Sequence, residues 1–505
     1  MPTADRPNVL FLFSDQHNYR CTGYHDGAAP EPVDTPTLDG LAASGTTFER
    51  AYCPMPLCTP SRLCTLTGRN VPGAGAWSNG DMLRDELPTM PESFAAAGYD
   101  TGLVGKMHLG GDNQFVGFQD RPYGDLLGRN GHQYEPVSPE RRFSDGPRNE
   151  DAGLTEYPES QLQEATVIRE SMAWLRERRA AADDRPWFLT ASVSRPHPPF
   201  TVPPRHLDSY WPDGVTEPRV PGEDPPDDVT MKARAAYLGC VDYLDELLGE
   251  FLAMLDHGGF LENTIVVYAT DHGEMMGEHG GWGKGRWRED SARVPLLFEL
   301  PAHRDGDGGA TIDTPVSLID LYPTLCGLAG VDYPEDLDGT DLSRAVRESV
   351  EPDRDPVFVD SLGGGDGDYR AVVGDAFKYV HTRTGEDHLV HPAGDPFERE
   401  DFLDDGGVVE DAPAGAADAA AVLGERARGS LDWDAVDRRR ERHRDLADGR
   451  GLAVSQGTAG NAYRLRDGRV VDGEATVTKP DVLAGDADGV FADFPGHRQG
   501  GDGDA

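Results

Sequence analysis

The sequence predicts an α/β protein: a large mixed sheet sandwiched by helices, with a smaller C-terminal antiparallel sheet. Two observations carry that reading. Up to about residue 350, short apolar runs alternate with longer amphipathic segments, the pattern of buried strands covered by helices on both faces. From about Asp353 the runs become short and alternating, separated by Gly/Asp turns, as in a small antiparallel sheet. The 505 residues therefore divide into an α/β domain over 1–350, a small sheet plus helix over 351–449, and an acidic Gly/Asp-rich tail over 450–505. The tail has the composition of a partly disordered segment.

The elements follow in order. Val9–Ser14, Thr101–Val104, Trp187–Ser194, Thr264–Thr270 and Leu296–Leu300 are apolar runs of strand length. Thr35–Ala43, Met90–Ala97, Gln161–Arg179 and Met231–Asp256 read as helices. In the last, Leu238, Val241, Leu244, Leu248, Phe251 and Leu255 recur at spacings of three and four, one apolar face of a helix. Residues 120–160 and 201–229 are rich in Pro, Gly, Asp and Arg. They read as excursions over the surface, where substrate contacts are often carried. Val357–Asp360, Tyr369–Val373, Lys378–His381 and His388–His391 form the small sheet, and Ala412–Gly449 reads as helical.

Composition narrows the function classes. The net charge is −43 and only five of the 47 basic residues are lysines. Such self-repulsion weakens a compact state in dilute buffer, but molar salt shortens the Debye length to about 3 Å and screens it. The acidity thus reads as adaptation to a high-salt organism, and it argues against nucleic-acid binding. No apolar stretch reaches the roughly 18 residues of a membrane span. Asn8–Phe13 is too short for a signal peptide, and Asp5 stands where basic residues would be needed. These features predict a cytoplasmic protein. The six cysteines form no Cys-x-x-Cys pair and no disulfide framework.

Cys58-Thr59-Pro60-Ser61-Arg62, with Leu66-Thr67-Gly68-Arg69 behind it, puts a cysteine where a helix should begin. Pro60 suits a first turn because it has no N–H to lose. The free N–H groups and the helix dipole there favour an oxyanion, and Arg62 adds a fork of donors. Two strands also end alike, one delivering Asp15-Gln16-His17 and the other Asp271-His272-Gly273. Ligands of open α/β sheets bind outside the carboxyl ends of strands. Two carboxylates, an amide oxygen and an imidazole there make a shell for one divalent cation; the alternative is that each Asp merely caps its turn.

With these motifs the chain resembles the sulfatase family of the alkaline-phosphatase-like superfamily. Thr35 to Ala42 with Gly45 and Phe48 is similar to the family's approach to its nucleophile. Ala97–Thr101 with Gly105–Gly110, Pro196–Phe200, Asn263–Glu274, and Lys284 with Glu289–Pro295 resemble four further blocks, in family order over roughly residues 7–345 and weakly to 405. The resemblance implies an alkaline-phosphatase-like fold and a sulfate-ester hydrolase, acting on a sulfated carbohydrate or another small organic sulfate. It implies that a maturation enzyme converts Cys58 to formylglycine, whose hydrate attacks sulfur. It further implies that Asp15, Gln16, Asp271 and His272, with residue 58, hold one divalent cation, calcium by preference and manganese or magnesium otherwise. Arg62 would stabilise the hydrate. Lys106 and Lys284 would grip the sulfuryl oxygens. His197, with Lys284, would protonate the leaving alcohol, and His108 would take the proton that expels sulfate. His17, Cys64, His279 and Trp287 read either as packing residues or as supports behind the site.

Three positions depart from the common pattern. Many sulfatases have a second acid where Gln16 stands and an Asn where His272 stands. Asp/Gln with Asp/His also resembles the phosphonate monoester and phosphodiester hydrolases of the same superfamily, whereas Lys106 and His108 pull back toward sulfatases. Arg288 stands where an aromatic residue is common, which touches the outer pocket rather than the reaction centre. A sulfated-glycan binding protein with an unmodified Cys58 is the non-catalytic alternative.

Overall fold

Alternation along the first strand, β1 (Asn8–Asp15), explains the layering of the molecule. Val9, Phe11 and Phe13 face one buried cluster, shared with Leu63 and Leu66 of helix α2 (Cys58–Thr67). Leu10 and Leu12 face the other, shared with Trp174 and Leu175 of α3 (Gln163–Ala180) and with Leu244, Leu248 and Phe251 of α4 (Asp228–His257). A strand buried on both faces must be apolar throughout, and the run Val9–Phe13 is. The computed structural model describes residues 6–25, 30–79, 81–110, 113–124, 137–142, 152–222, 226–304, 309–404, 406–449, 462–464 and 470–472.

Among the described residues the main sheet has eight strands. In chain order these are β1, β2 (Thr46–Phe48), β3 (Asp100–Gly105), β4 (Asp120–Tyr123), β5 (Trp187–Pro196), β6 (Thr264–Thr270), β7 (Leu296–Glu299) and β8 (Ala310–Ile312). Their spatial order is β8-β2-β7-β6-β1-β5-β3-β4. β6, β1, β5, β3 and β4 run parallel, and β7 is antiparallel to both of its neighbours. The sheet is mixed, as expected.

The predicted helices appear within a few residues of their expected bounds. The six apolar residues singled out between Leu238 and Leu255 are all buried. α4 begins three residues earlier than the periodicity suggests, because the Asp227 carboxylate accepts a hydrogen bond from the Thr230 N–H at 2.8 Å and caps it.

Two expectations need correction. The segments at 120–160 and 201–229 are not wholly surface excursions. Val137–Arg142, Ala152–Thr155 and Phe200–Val202 form a three-stranded sheet. Ala152, Leu154, Phe200 and Val202 are buried with Ala235, Leu238 and Val241 of α4. Nor is Ala412–Gly449 one helix. It is α5 (Ala416–Gly429) and α6 (Trp433–Gly449), because Asp432 caps a new start by accepting from the Ala435 N–H at 3.0 Å.

The C-terminal sheet is β9 (Val357–Ser361), β10 (Tyr369–Val373), β11 (Lys378–Thr382) and β12 (His388–Val390), antiparallel throughout. One face carries Val357, Val359, Ala371, Val373 and Val380 into the same buried cluster as Phe11 and Leu63. The other face packs on Leu423 and Ala427 of α5. Lys378 is fully buried, its ammonium 2.5 Å from Glu289 and 2.7 Å from Glu398. This three-membered ion cluster ties the small sheet to the segment that follows Lys284. In the tail, Ala462–Arg464 pairs with Val470–Asp472; the remainder of the expected disordered tail lies outside the described residues.

Candidate active site

Strand register brings the acidic corners together. Ser14 pairs with Thr270 across the parallel β1–β6 ladder, so Asp15 and Asp271 leave adjacent strands at the same edge. Asp15 also lies against Pro196 at the end of β5, which delivers His197. On the far side of β5, Gly105 pairs with Ser192 and introduces Lys106. Gly105 has φ +101, and a Cβ there would lie 1.9 Å from the Ser192 carbonyl oxygen. Only glycine fits that approach, and it lets the Lys106 N–H donate to the same oxygen at 2.9 Å.

The N-terminus of α2 points into this corner. All ten of its residues are buried, and no side chain of its extended N-cap residue, Leu57, caps it. The Thr59 N–H instead donates to Asn79 Oδ1 at 3.0 Å. Cys58 Sγ lies 3.0 Å from Lys284 Nζ, 3.3 Å from His272 Nε2 and 3.8 Å from Asp15 Oδ1, and His197 hydrogen-bonds the same thiol. The donor atoms of Asp15, Cys58, Asp271 and His272 all lie within 4.8 Å of one another.

Arg62 is fully buried beside Cys58. Its Nε donates to Asp271 Oδ2 at 2.7 Å and its Nη2 to Asp15 Oδ2 at 3.1 Å. The remaining donors reach the carbonyls of Ser14 (3.2 Å) and Lys106 (2.9 Å) and the Ser192 hydroxyl (3.0 Å). The guanidinium is thus a bracket across the ends of four strands. Lys106 Nζ pairs with Asp15 Oδ2 at 2.5 Å.

Gln16 is held from behind. Its Nε2 donates to Glu274, a buried carboxylate that also accepts from the Gly283 N–H at 2.6 Å. Its Oε1 therefore faces the site, where Lys284 Nζ donates to it at 2.7 Å. Gln16 has φ +69, an unusual conformation for a side chain of its size. His272 donates from Nδ1 to the Gly273 carbonyl at 3.0 Å, leaving Nε2 to face inward. His108 is half-buried at φ +58, and its carbonyl accepts from the Thr59 hydroxyl. The backbone at 108 therefore lies against the first turn of α2.

Electrostatics separate the groups. Burial and the Asp15 charge would raise the Cys58 thiol, but Lys284, Lys106 and His272 hold it well below its ordinary value. Burial opposes ionisation of Asp15 too, and Lys106, His197, Lys284 and Arg62 overcome it, keeping the carboxyl well below the usual range. Burial lowers His197 to about 3, with Lys284 and Lys106 adding to the effect. Burial pushes Asp271 up to about 6 despite Arg62.

Two carboxylates, one amide oxygen and one imidazole nitrogen converging here fit a divalent cation. A proton on Asp271 would compete with it. Burial would lower His272, but Asp271 holds it above the ordinary imidazole value, so it carries a competing proton as well. Cation affinity is therefore expected to fall as the pH drops, and more steeply once Asp271 also protonates below about pH 6. Equilibrium dialysis against manganese from pH 5 to 8 checks this; a flat profile contradicts it.

The other residues noted from sequence are engaged in packing. Both ring nitrogens of His17 are used inside the fold, at 2.6 Å from Tyr268 and 2.7 Å from the Cys21 carbonyl. His279 meets the Phe397 carbonyl at 2.8 Å. Arg288 lies over Trp287, 3.9 Å from its ring centre, and donates to the Glu398 carbonyl at 2.5 Å. Cys64 is buried in the apolar cluster. Sequence reasoning missed Glu274 and Asn79 as holders of Gln16 and Thr59. Glu274 follows directly on the second acidic corner, but nothing local to Asn79 marks it.

Comparison with known proteins identifies the family. Residues 7–331 match the Sulfatase family, and 277–404 match the family described as N-sulphoglucosamine sulphohydrolase, C-terminal. The chain is 33% identical over 436 residues to the uncharacterized sulfatase YidJ of Escherichia coli K12, covering 79% of this chain and 84% of that one. It is 28% identical over 408 residues to an ulvan-active sulfatase of Formosa agariphila, covering 79% and 77%. Among solved structures, the phosphonate monoester hydrolase of Agrobacterium radiobacter superposes with a TM-score of 0.68 at 25% identity, over 88% of this chain and 97% of that one. The chain belongs to the sulfatase family, sulfuric ester hydrolases of the alkaline-phosphatase-like superfamily.

Proposed function

We propose that this chain hydrolyses a small or saccharide-borne sulfate ester, using Cys58 converted to formylglycine by a maturation enzyme. One observation carries the proposal: Cys58 stands at the start of a buried helix, within 4.8 Å of the donor atoms of Asp15, Asp271 and His272, with Lys284 at 3.0 Å. Asp15, Gln16, Asp271, His272 and residue 58 would hold one divalent cation, which supplies a Lewis acid for the sulfuryl oxygens. Calcium, or magnesium, suits the oxygen donors, and the His272 nitrogen also admits manganese.

This chain's own residues do the rest. Lys106 and Lys284 neutralise the sulfuryl charge that grows on reaction. Lys284, which stays charged beside Cys58, acts with His197 to supply a proton to the leaving alcohol oxygen, and His108 removes one as sulfate departs. Arg62 fixes both carboxylates, and Glu274 fixes the Gln16 amide. A saccharide substrate is favoured by the ulvan-active relative and by the match at residues 277–404.

The resemblance to a phosphonate monoester hydrolase, together with Gln16 and His272, supports a second reading as a phosphonate or phosphodiester hydrolase. Lys106 beside Asp15 and the more similar named sulfatase favour the first. Turnover of an aryl sulfate and an aryl phosphonate on one preparation, at high salt, tests the choice. The sulfate is expected to give a kcat/KM at least tenfold higher, and the reverse order overturns it. Mass and hydrazide reactivity of the Cys58 peptide, measured on the same preparation, report whether the side chain is converted.

A further inference from the structure

A cavity of about 540 Å³ lies between the segment at 72–86 and helix α6. None of the catalytic or metal-site residues named above lines it. Its wall carries Arg84, Arg439, Arg442, His443 and Trp77, with Glu86 as its acidic member. In a chain with a net charge of −43, a cavity with three guanidiniums and one carboxylate reverses the prevailing field.

The acid is already engaged, since Arg84 Nε donates to Glu86 at 2.9 Å. Nearby Asp81 accepts from the backbone N–H groups of Trp77 and Ser78 at 2.5 and 2.8 Å. Arg439 and Arg442 have no ion pair among the described residues. Trp77 is 2% exposed and His443 7% exposed. The indole Nε1 and the imidazole Nε2 are both buried without a hydrogen-bond partner among the described residues. Buried polar groups are rarely left so, and an indole N–H can only donate. Two buried nitrogens beside two unpaired guanidinium forks suit a multivalent oxyanion: each of its oxygens accepts, and forks bind it bidentately. A cation would be repelled, and an apolar ligand would leave the indole N–H unsatisfied.

We propose that this cavity binds a sulfate group, separately from the reaction centre. The anion takes its hydrogen bonds from Trp77, His443, Arg439 and Arg442. The two sites are close in the fold, because Asn79, two positions after Trp77, holds the Thr59 N–H beside Cys58. The volume is of ligand-pocket size and leaves room for the sugar that would carry such a group.

Equilibrium dialysis of the full chain with radiolabelled inorganic sulfate tests this. Arg439 and Arg442 are exposed, so the Arg439→Gln/Arg442→Gln double variant should fold and turn over an aryl sulfate within twofold of the parent. The parent is expected to bind one more sulfate per chain than this variant; equal stoichiometry overturns the proposal. Trp77→Phe keeps the ring and removes the N–H, and should weaken that sulfate about tenfold. Unchanged affinity there also counts against the site. Displacement by a polysulfated hexasaccharide, but not by its unsulfated form, would identify a chain-borne sulfate; displacement by inorganic sulfate alone would identify the free anion. The dialysis reads binding, so it stands even if the aryl sulfate is not turned over.

Discussion

Cys58→Ala is expected to reduce sulfate-ester turnover by about 10⁴-fold or more, the scale on which loss of a nucleophile is felt. The unfolding midpoint should barely move. The contrast with Cys64 makes the experiment decisive. Both cysteines sit on the same helix and are fully buried. Burial drives the Cys64 thiol well above its ordinary value, and the Asp360 and Asp338 charges add to the rise, while Lys284, Lys106 and His272 hold Cys58 well below. A reactive cysteine needs the second environment. Cys64→Ala should therefore lose about 1 kcal/mol of stability and keep its activity. Full turnover by Cys58→Ala, measured as sulfate release, would remove residue 58 from the reaction.

The largest stability effect is expected at Arg62. Its guanidinium is completely buried between two buried carboxylates. Arg62→Ala leaves Asp15 and Asp271 facing each other without that bracket, and removing one partner of a buried ion pair costs about 3–5 kcal/mol. A divalent cation should restore part of the loss, because it supplies positive charge between the same oxygens. Lysine is a poor substitute, since one ammonium cannot span two carboxylates, two carbonyls and a hydroxyl. Denaturant titrations with and without manganese measure both effects. A loss under about 1 kcal/mol in the metal-free protein would show that the bracket is dispensable.

The site was largely legible because its parts announce themselves locally. Asp15 and Asp271 each follow an apolar strand, and ends of parallel strands share an edge, so two motifs more than 250 residues apart converge. Cys58 is marked by the Pro60 of a first turn. Arg62 shows the limit: its presence near the cysteine was readable, but its five partners come from β1, β3, β5 and β6 and only the fold assembles them. Asn79 was invisible for the same reason. The three-stranded sheet was missed because Val137–Arg142 is polar and Phe200–Val202 is short. The burial of Ala152, Leu154, Phe200 and Val202 comes from packing on α4, not from a run of their own.

The ion cluster of Lys378, Glu289 and Glu398 has a bearing on how the chain is made. The ribosome delivers residues in order, and Lys284 is synthesised about a hundred positions before the two residues, 378 and 398, that anchor the segment behind it. Until those emerge, the mouth of the catalytic corner lacks its backing. Cys58 is sealed from solvent in the finished fold, so a protein that is to act on its side chain must do so before that fold closes.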